Sequence, residues 1–186
     1  MTTVLHLWLP IVVSAVVVFV VSALIRMATP WHRGEYPRLP NEDAFMDAVR
    51  PLGIPPGDYM VPRAASAAAA RSPAFADKLR RGPVMLLTVS PNGSASMVRS
   101  LTGWFAYALA VGAFTAYLAG HVLPFAASAT VVFEFVAVAA FVGYSLALWQ
   151  MSIWYRRDLL TTLRATVDGL VHALVTAGVF AWLWPH

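Results

Sequence analysis

All thirteen lysines and arginines of this 186-residue chain fall in two stretches, 26–99 and 156–164. These stretches alternate with four long apolar blocks, and that alternation limits what the chain can fold into. The blocks cover residues 4–26, 103–123, 127–150 and 165–184. A helix crosses the hydrocarbon of a bilayer with about 20 apolar residues at about 1.5 Å each. In lipid each block must satisfy its own backbone, which a helix does and an isolated strand does not. The expected fold is therefore all-α: a bundle of four transmembrane helices, with residues 27–102 as a small cap between the first and second. Composition agrees, with 59% apolar and 12% charged residues and a mean hydropathy of +0.67, against about 25% charged in soluble domains.

Cations mark the side that stays in the cytoplasm. A chain that crosses four times puts its first and third loops on one side, and those loops hold every Lys and Arg. Residues 27–102 and 151–164 are thus expected in the cytoplasm and both termini outside. Trp8, Trp104, Trp149, Trp154, Trp182 and Trp184 fall near the span ends, where indole rings favour the interface. Pro10 lies in the first turns of its span, where proline costs least. The first block is longer than the apolar core of a signal peptide and has no Lys or Arg ahead of it, so a retained span is expected.

Function classes narrow by absence of residue types. The chain has no cysteine, which excludes disulfides, thiolate metal sites and cysteine nucleophiles. Its net charge of +4 is accounted for by helix orientation and anionic headgroups, and basic-aromatic interleaving for nucleic acid is missing. Phosphate-binding loops, G-x-S-x-G, H-E-x-x-H and zinc-ribbon spacings do not occur. No cofactor is expected. The expected partners are the lipid bilayer and other membrane-protein subunits.

Within 27–102, "NEDAFMDAV" reads as a short helix capped by Asn41, with Glu42 and Asp43 at its positive end. "PLGIPPGDYMVP" reads as extended and turned, because of its four prolines. "SPAFADKLRRGP" reads as a second helix, with Ser72 as cap, Pro73 at its first position and Gly82-Pro83 as its stop. "PVMLLTV" is β-prone and "SPNG" a turn. "VMLLTV" is available as an edge strand for a partner. "AASAAAA" is compatible with a helix or a flexible joint.

Small residues recur every four positions in the second span, at Ala108, Gly112, Ala116 and Gly120, and in the fourth at Gly169, Ala173 and Ala177. Such stripes let helix backbones approach in lipid. They serve packing inside the bundle or against another subunit.

Beside the second stripe runs a polar one: Arg164, Asp168, His172 and Thr176. With Arg164 at the inner boundary, Asp168 lies about 5 Å further in and His172 about 11 Å. Arg164 and Asp168 are spaced to pair, although acid before base is the better order. His172 is spaced to hydrogen-bond Asp168. The group suits a structural polar knot, a proton relay or a ligand contact, since ionisable residues in a membrane are costly and histidine titrates near neutral pH. Glu134, in "VVFEFVAV", lies about 9 to 11 Å inside the outer boundary with no base on its side. It is expected to donate a hydrogen bond to a neighbouring helix. His6, His121 and His186 lie near the same outer boundary, and with Glu134 they make a weak N3O candidate for zinc or copper; a haem between two histidines does not fit their depths.

"PPGDYMVP", "GPVMLLTVSPNG", "LTGWFAYALAVGAFTAYLAG" and "DGLVHALVTAGVFAWLWP" together are similar to a group of small, uncharacterised bacterial multi-pass membrane proteins. That resemblance covers most of the chain after residue 35. It implies residence in a bacterial inner membrane and carries over no functional residues. The leading expectation is a non-enzymatic accessory or scaffold subunit of a membrane complex. The alternatives are a small transporter or proton-coupled channel subunit using Glu134, Asp168 and His172, and a membrane-embedded enzyme acting on lipid or quinone.

Overall fold

The computed structural model describes residues 4–185, with side chains described from His6 onward. His186, the third histidine of the metal candidate, lies outside the described residues. The chain divides into two compact units: residues 37–95, and a bundle formed by the segments before and after them.

Four helices in the bundle are long and apolar enough to cross a membrane. They are α1 (Trp8–Ala28), α5 (Met97–Val122), the pair α6 (Ala129–Ser145) and α7 (Trp149–Tyr155), and α8 (Leu159–Trp182). The short helices α2 (Glu42–Val49), α3 (Ala67–Ala70) and α4 (Pro73–Arg81) belong to the other unit. α6 and α7 form one span, interrupted by a tighter 3-10 turn at Leu146–Leu148.

Local chemistry sets the helix ends. Ser96, Ser128 and Asp158 cap α5, α6 and α8, each accepting from the backbone N–H three residues on. α1 stops at Thr29-Pro30: the residue before a proline is pushed out of the helical region, and Thr29 is extended at φ −111°, ψ 151°. α7 stops at Arg156, which is left-handed at φ 53°.

The spans pack in a ring, α1 on α5, α5 on α6, α6 on α8 and α8 back on α1. Neighbours run antiparallel. Trp104 near the start of α5 donates to Ser22 near the end of α1 (2.8 Å), while Gly112 further along α5 meets Ile11 near the start of α1. Both small-residue stripes face inward: Ala108, Gly112, Ala116 and Gly120 are buried, as are Gly169, Ala173 and Ala177. At Gly169 a side chain has no room. A Cβ there would run into Ser145 Oγ and crowd Tyr144 Cβ at 3.3 Å, so the backbones of α8 and α6 approach as only glycine allows. One core cluster, around Phe180, Val132, Val136 and Ala116, fills the end of the ring near Leu7 and Trp184. A second, around Val18, Ala108, Ala140, Tyr144 and Ala173, fills its middle.

The unit of residues 37–95 holds α2 (Glu42–Val49), β1 (Gly57–Val61), α3 (Ala67–Ala70), α4 (Pro73–Arg81) and β2 (Met85–Val89). None of its residues is buried, as expected of a segment too small to form a core. Ser72 caps α4 through Phe75 N–H (3.2 Å), with Pro73 at the first position. "AAAA" is helical, capped by Ser66. Two expectations change. Asn41 does not cap α2 through its side chain; it precedes the helix in the left-handed conformation, φ 55°, which asparagine tolerates better than most residues. The proline-rich segment supplies a strand, β1, that pairs antiparallel with β2, Tyr59 opposite Leu87. One edge of "VMLLTV" is therefore occupied within the chain. Thr88 fastens the pair by donating to Asp58 at 2.6 Å.

Candidate functional site

The bundle is not filled at the end where α1 finishes and α8 begins. A cavity of about 490 Å³ opens there, bounded by all four spans. Its apolar wall includes Phe19, Ile25, Leu101 and Leu148, its aromatic wall Trp104, Tyr107 and Tyr144. Asp168 and His172 line it from α8, Arg26 from α1, and Arg157 from the turn before α8.

Most polar groups on this wall are already engaged. Trp104 Nε1 donates to Ser22 Oγ, and Ser22 Oγ to Phe19 O at 2.9 Å. Tyr107 OH donates to Gly143 O at 2.6 Å. Ser100 Oγ donates to Ser96 O at 3.3 Å. Thr176 Oγ1 donates back to His172 O at 2.9 Å, so the last member of the polar stripe serves its own helix.

His172 differs. Its ring is held by Trp104 (centroids 5.5 Å apart) and Tyr144 (5.6 Å). The residue is 6% exposed, yet Nε2 is buried with no hydrogen-bond partner among the described residues. The expected hydrogen bond to Asp168 is not made, because Asp168 turns to a different histidine.

That histidine comes from the loop after α1. Pro30 O accepts from Arg33 N–H at 3.0 Å, and Gly34 takes φ +85°, a conformation a side chain would strain. The tight turn brings Glu35 back to His32, with Oε1 2.8 Å from Nδ1. The other ring nitrogen, Nε2, lies 3.0 Å from Asp168 Oδ2. This second contact is close, but it is not a hydrogen bond. Each ring nitrogen thus faces a carboxylate oxygen. All three side chains are nearly closed off, at 10 to 13% exposure.

The expected Arg164–Asp168 pair is absent among the described ion pairs. Arg164 instead lies over the ring of Trp31, 6.0 Å from its centroid. With the base preceding the acid on the helix the pairing is the weaker order, and His32 already occupies the carboxylate. Glu134 is exposed on the outside of α6 and is not part of the cavity wall. Its expected bond to a neighbouring helix is not formed. His6 packs edge-on against Phe125, and a ring nitrogen of exposed His121 lies 2.7 Å from Tyr117 O. No three metal-ligating side chains converge among the described residues, so His6, His121 and Glu134 are not brought together.

Residues missed by the sequence reading are His32, Glu35, Arg26 and Arg157, with the three aromatics. "TPWHRGEY" carried a usable signal. A proline that stops the helix and a glycine turn enclose a His and a Glu three apart, directly after a span.

The chain matches no protein-family model, no curated protein and no solved structure.

Proposed function

We propose that this is an integral membrane protein of a bacterial inner membrane, with both termini outside and residues 27–102 and 151–164 in the cytoplasm. Its bundle binds a membrane-soluble amphiphile of the lipid or quinone class. The sorting of thirteen cations supports the orientation. One observation carries the binding: His172 Nε2 is buried and unpartnered on the wall of a cavity of about 490 Å³. Buried polar atoms are nearly always hydrogen-bonded, and concave, mostly apolar spaces with few polar groups are what small ligands occupy. The polar end of the ligand meets His172, which is placed to exchange a proton with it. Asp168, His32 and Glu35 hold α8 against the loop after α1 and fix that part of the wall.

The test is purification of the full chain in mild detergent, followed by native mass spectrometry and extraction of bound molecules. Wild type should retain about one amphiphile per chain, and Ala23→Trp, which fills the cavity from α1, should retain none. Equal retention by both, or none by either even after incubation with total membrane lipid and a short-chain quinone, would overturn the reading.

A second reading, an accessory or scaffold subunit, is favoured by Glu134. An acid on the outer face of a span, without a hydrogen-bond or ion-pair partner among the described residues, suits a helix from another protein. A route for transport through Glu134, Asp168 and His172 gains no comparable support, since Glu134 does not line the cavity.

A further inference from the structure

We infer that the ligand of this cavity is anionic at its polar end, a phosphate-bearing lipid whose headgroup lies between Arg26 and Arg157. This rests on the cavity being a binding site for an amphiphile, as proposed above. Its indole, phenol and serine donors at Trp104, Tyr107, Ser22 and Ser100 are committed to groups in the bundle. The one carboxylate on the wall, Asp168, is in contact with His32. Neither Arg26 nor Arg157 forms an ion pair with a described residue, although both line the cavity. What remains is the guanidiniums of Arg26, whose charge is also felt by Asp168, and of Arg157, with the free Nε2 of His172, set against an apolar wall.

Guanidinium is a donor only and binds phosphate oxygens in a fork. A neutral quinone or diacylglycerol would offer the two guanidiniums no anion. A free phosphate would leave the walls formed by Phe19, Ile25, Leu101 and Leu148 uncovered. A phosphate carried on an acyl chain answers both. The local fold places the second arginine for this. Arg156 ends α7 in the left-handed conformation, Arg157 N–H then donates to Met151 O at 3.1 Å, and the next side chain lines the cavity.

The experiment uses the delipidated full chain in detergent, with native mass spectrometry and thermal unfolding as readouts. The probes are dioleoyl phosphatidic acid, dioleoylglycerol and inorganic phosphate. Phosphatidic acid should bind at one tight site and raise Tm, with dioleoylglycerol about tenfold weaker or more, the factor expected for losing a charge-assisted hydrogen bond. Arg26→Gln and Arg157→Gln should each weaken phosphatidic acid about tenfold and leave dioleoylglycerol unchanged. Arg26→Lys should keep most of the binding, and Arg99→Gln, off the cavity wall, all of it. Unliganded Tm reports whether each variant is folded. Equal affinity for the acid and the glycerol, or an Arg99→Gln loss as large as the others, would overturn the inference. The cavity reading would still stand if Ala23→Trp blocked both lipids. Inorganic phosphate displacing phosphatidic acid at similar concentration would assign the site to a free anion and overturn the lipid. Failure of every amphiphile to bind would sink the cavity reading itself.

Discussion

His32 Nε2 lies 3.0 Å from Asp168 Oδ2, and through that contact the loop following α1 is fastened to α8. Glu35 holds the other side of the same ring at 2.8 Å. Removing one member of a close contact between nearly buried polar groups leaves the other desolvated without its partner, at a cost of about 1 to 3 kcal/mol. His32→Ala and Asp168→Asn should therefore each lower stability, with His32→Ala the more damaging because it strands two carboxylates. The double variant should lose at least about 1 kcal/mol less than the sum of the singles. Unfolding of the detergent-solubilised chain in a denaturant titration measures this. Strict additivity would mean that the two side chains are not coupled.

The approach of α8 to α6 at Gly169 makes a second sharp expectation. A methyl group there meets Ser145 Oγ and Cβ as well as Tyr144 Cβ. Of these only the hydroxyl can rotate away. Gly169→Ala should destabilise by about 1 to 3 kcal/mol, the range for overpacking a filled site. Adding Ser145→Ala should recover part of the loss and leave the crowding by the two Cβ atoms. An unchanged Tm for Gly169→Ala would show that the helices have room to separate.

Periodic features of the sequence are legible because one helix determines them. Span lengths, inward small-residue stripes and the serine caps follow from spacing within a single element. The site is different in kind. Asp168 had an apparent partner four residues away in Arg164, and a second in His172. Neither contact is made, because His32 arrives from a loop 136 positions earlier in the chain. Nothing in the period of α8 reports what a turn after α1 will bring. Asn41 shows the same limit on a smaller scale. Its type fits both a side-chain cap and a left-handed residue, and only the backbone, at φ 55°, separates the two. Glu134 misled through depth: distance along a helix gives how far a residue lies from the end, whereas rotation about the axis decides whether it faces the bundle, and here it faces out.

His172 separates binding from stability. Its Nε2 is buried without a partner, so the empty protein carries a desolvated polar atom. Replacing such a group by an apolar one of similar shape is near neutral or stabilising. His172→Phe should keep or raise unliganded Tm while lowering amphiphile affinity about tenfold, the worth of one lost hydrogen bond to a charged group. A structural role for the imidazole would show the opposite pattern, with Tm falling and affinity following it. Thermal unfolding with and without added lipid distinguishes them in one experiment.

Glu134 bears on the subunit reading in the same way. It lies five residues into α6, about 8 Å from the start of the helix, and it is exposed there. Facing acyl chains, an ionisable side chain costs up to about 3 kcal/mol at the bilayer centre and less towards the boundary. Glu134→Leu should therefore improve membrane insertion by about 1 to 2 kcal/mol in a glycosylation-based insertion assay. Against a partner helix the same change removes a hydrogen bond with few substitutes in lipid. The variant should then accumulate normally, bind the amphiphile of the cavity as wild type does, and lose a protein that co-purifies with wild type in mild detergent. Insertion gained with no change in the recovered complex would mean that the outer face of α6 meets lipid alone. A concurrent loss of amphiphile binding would mean that Glu134 acts on the bundle interior from the outer face of α6.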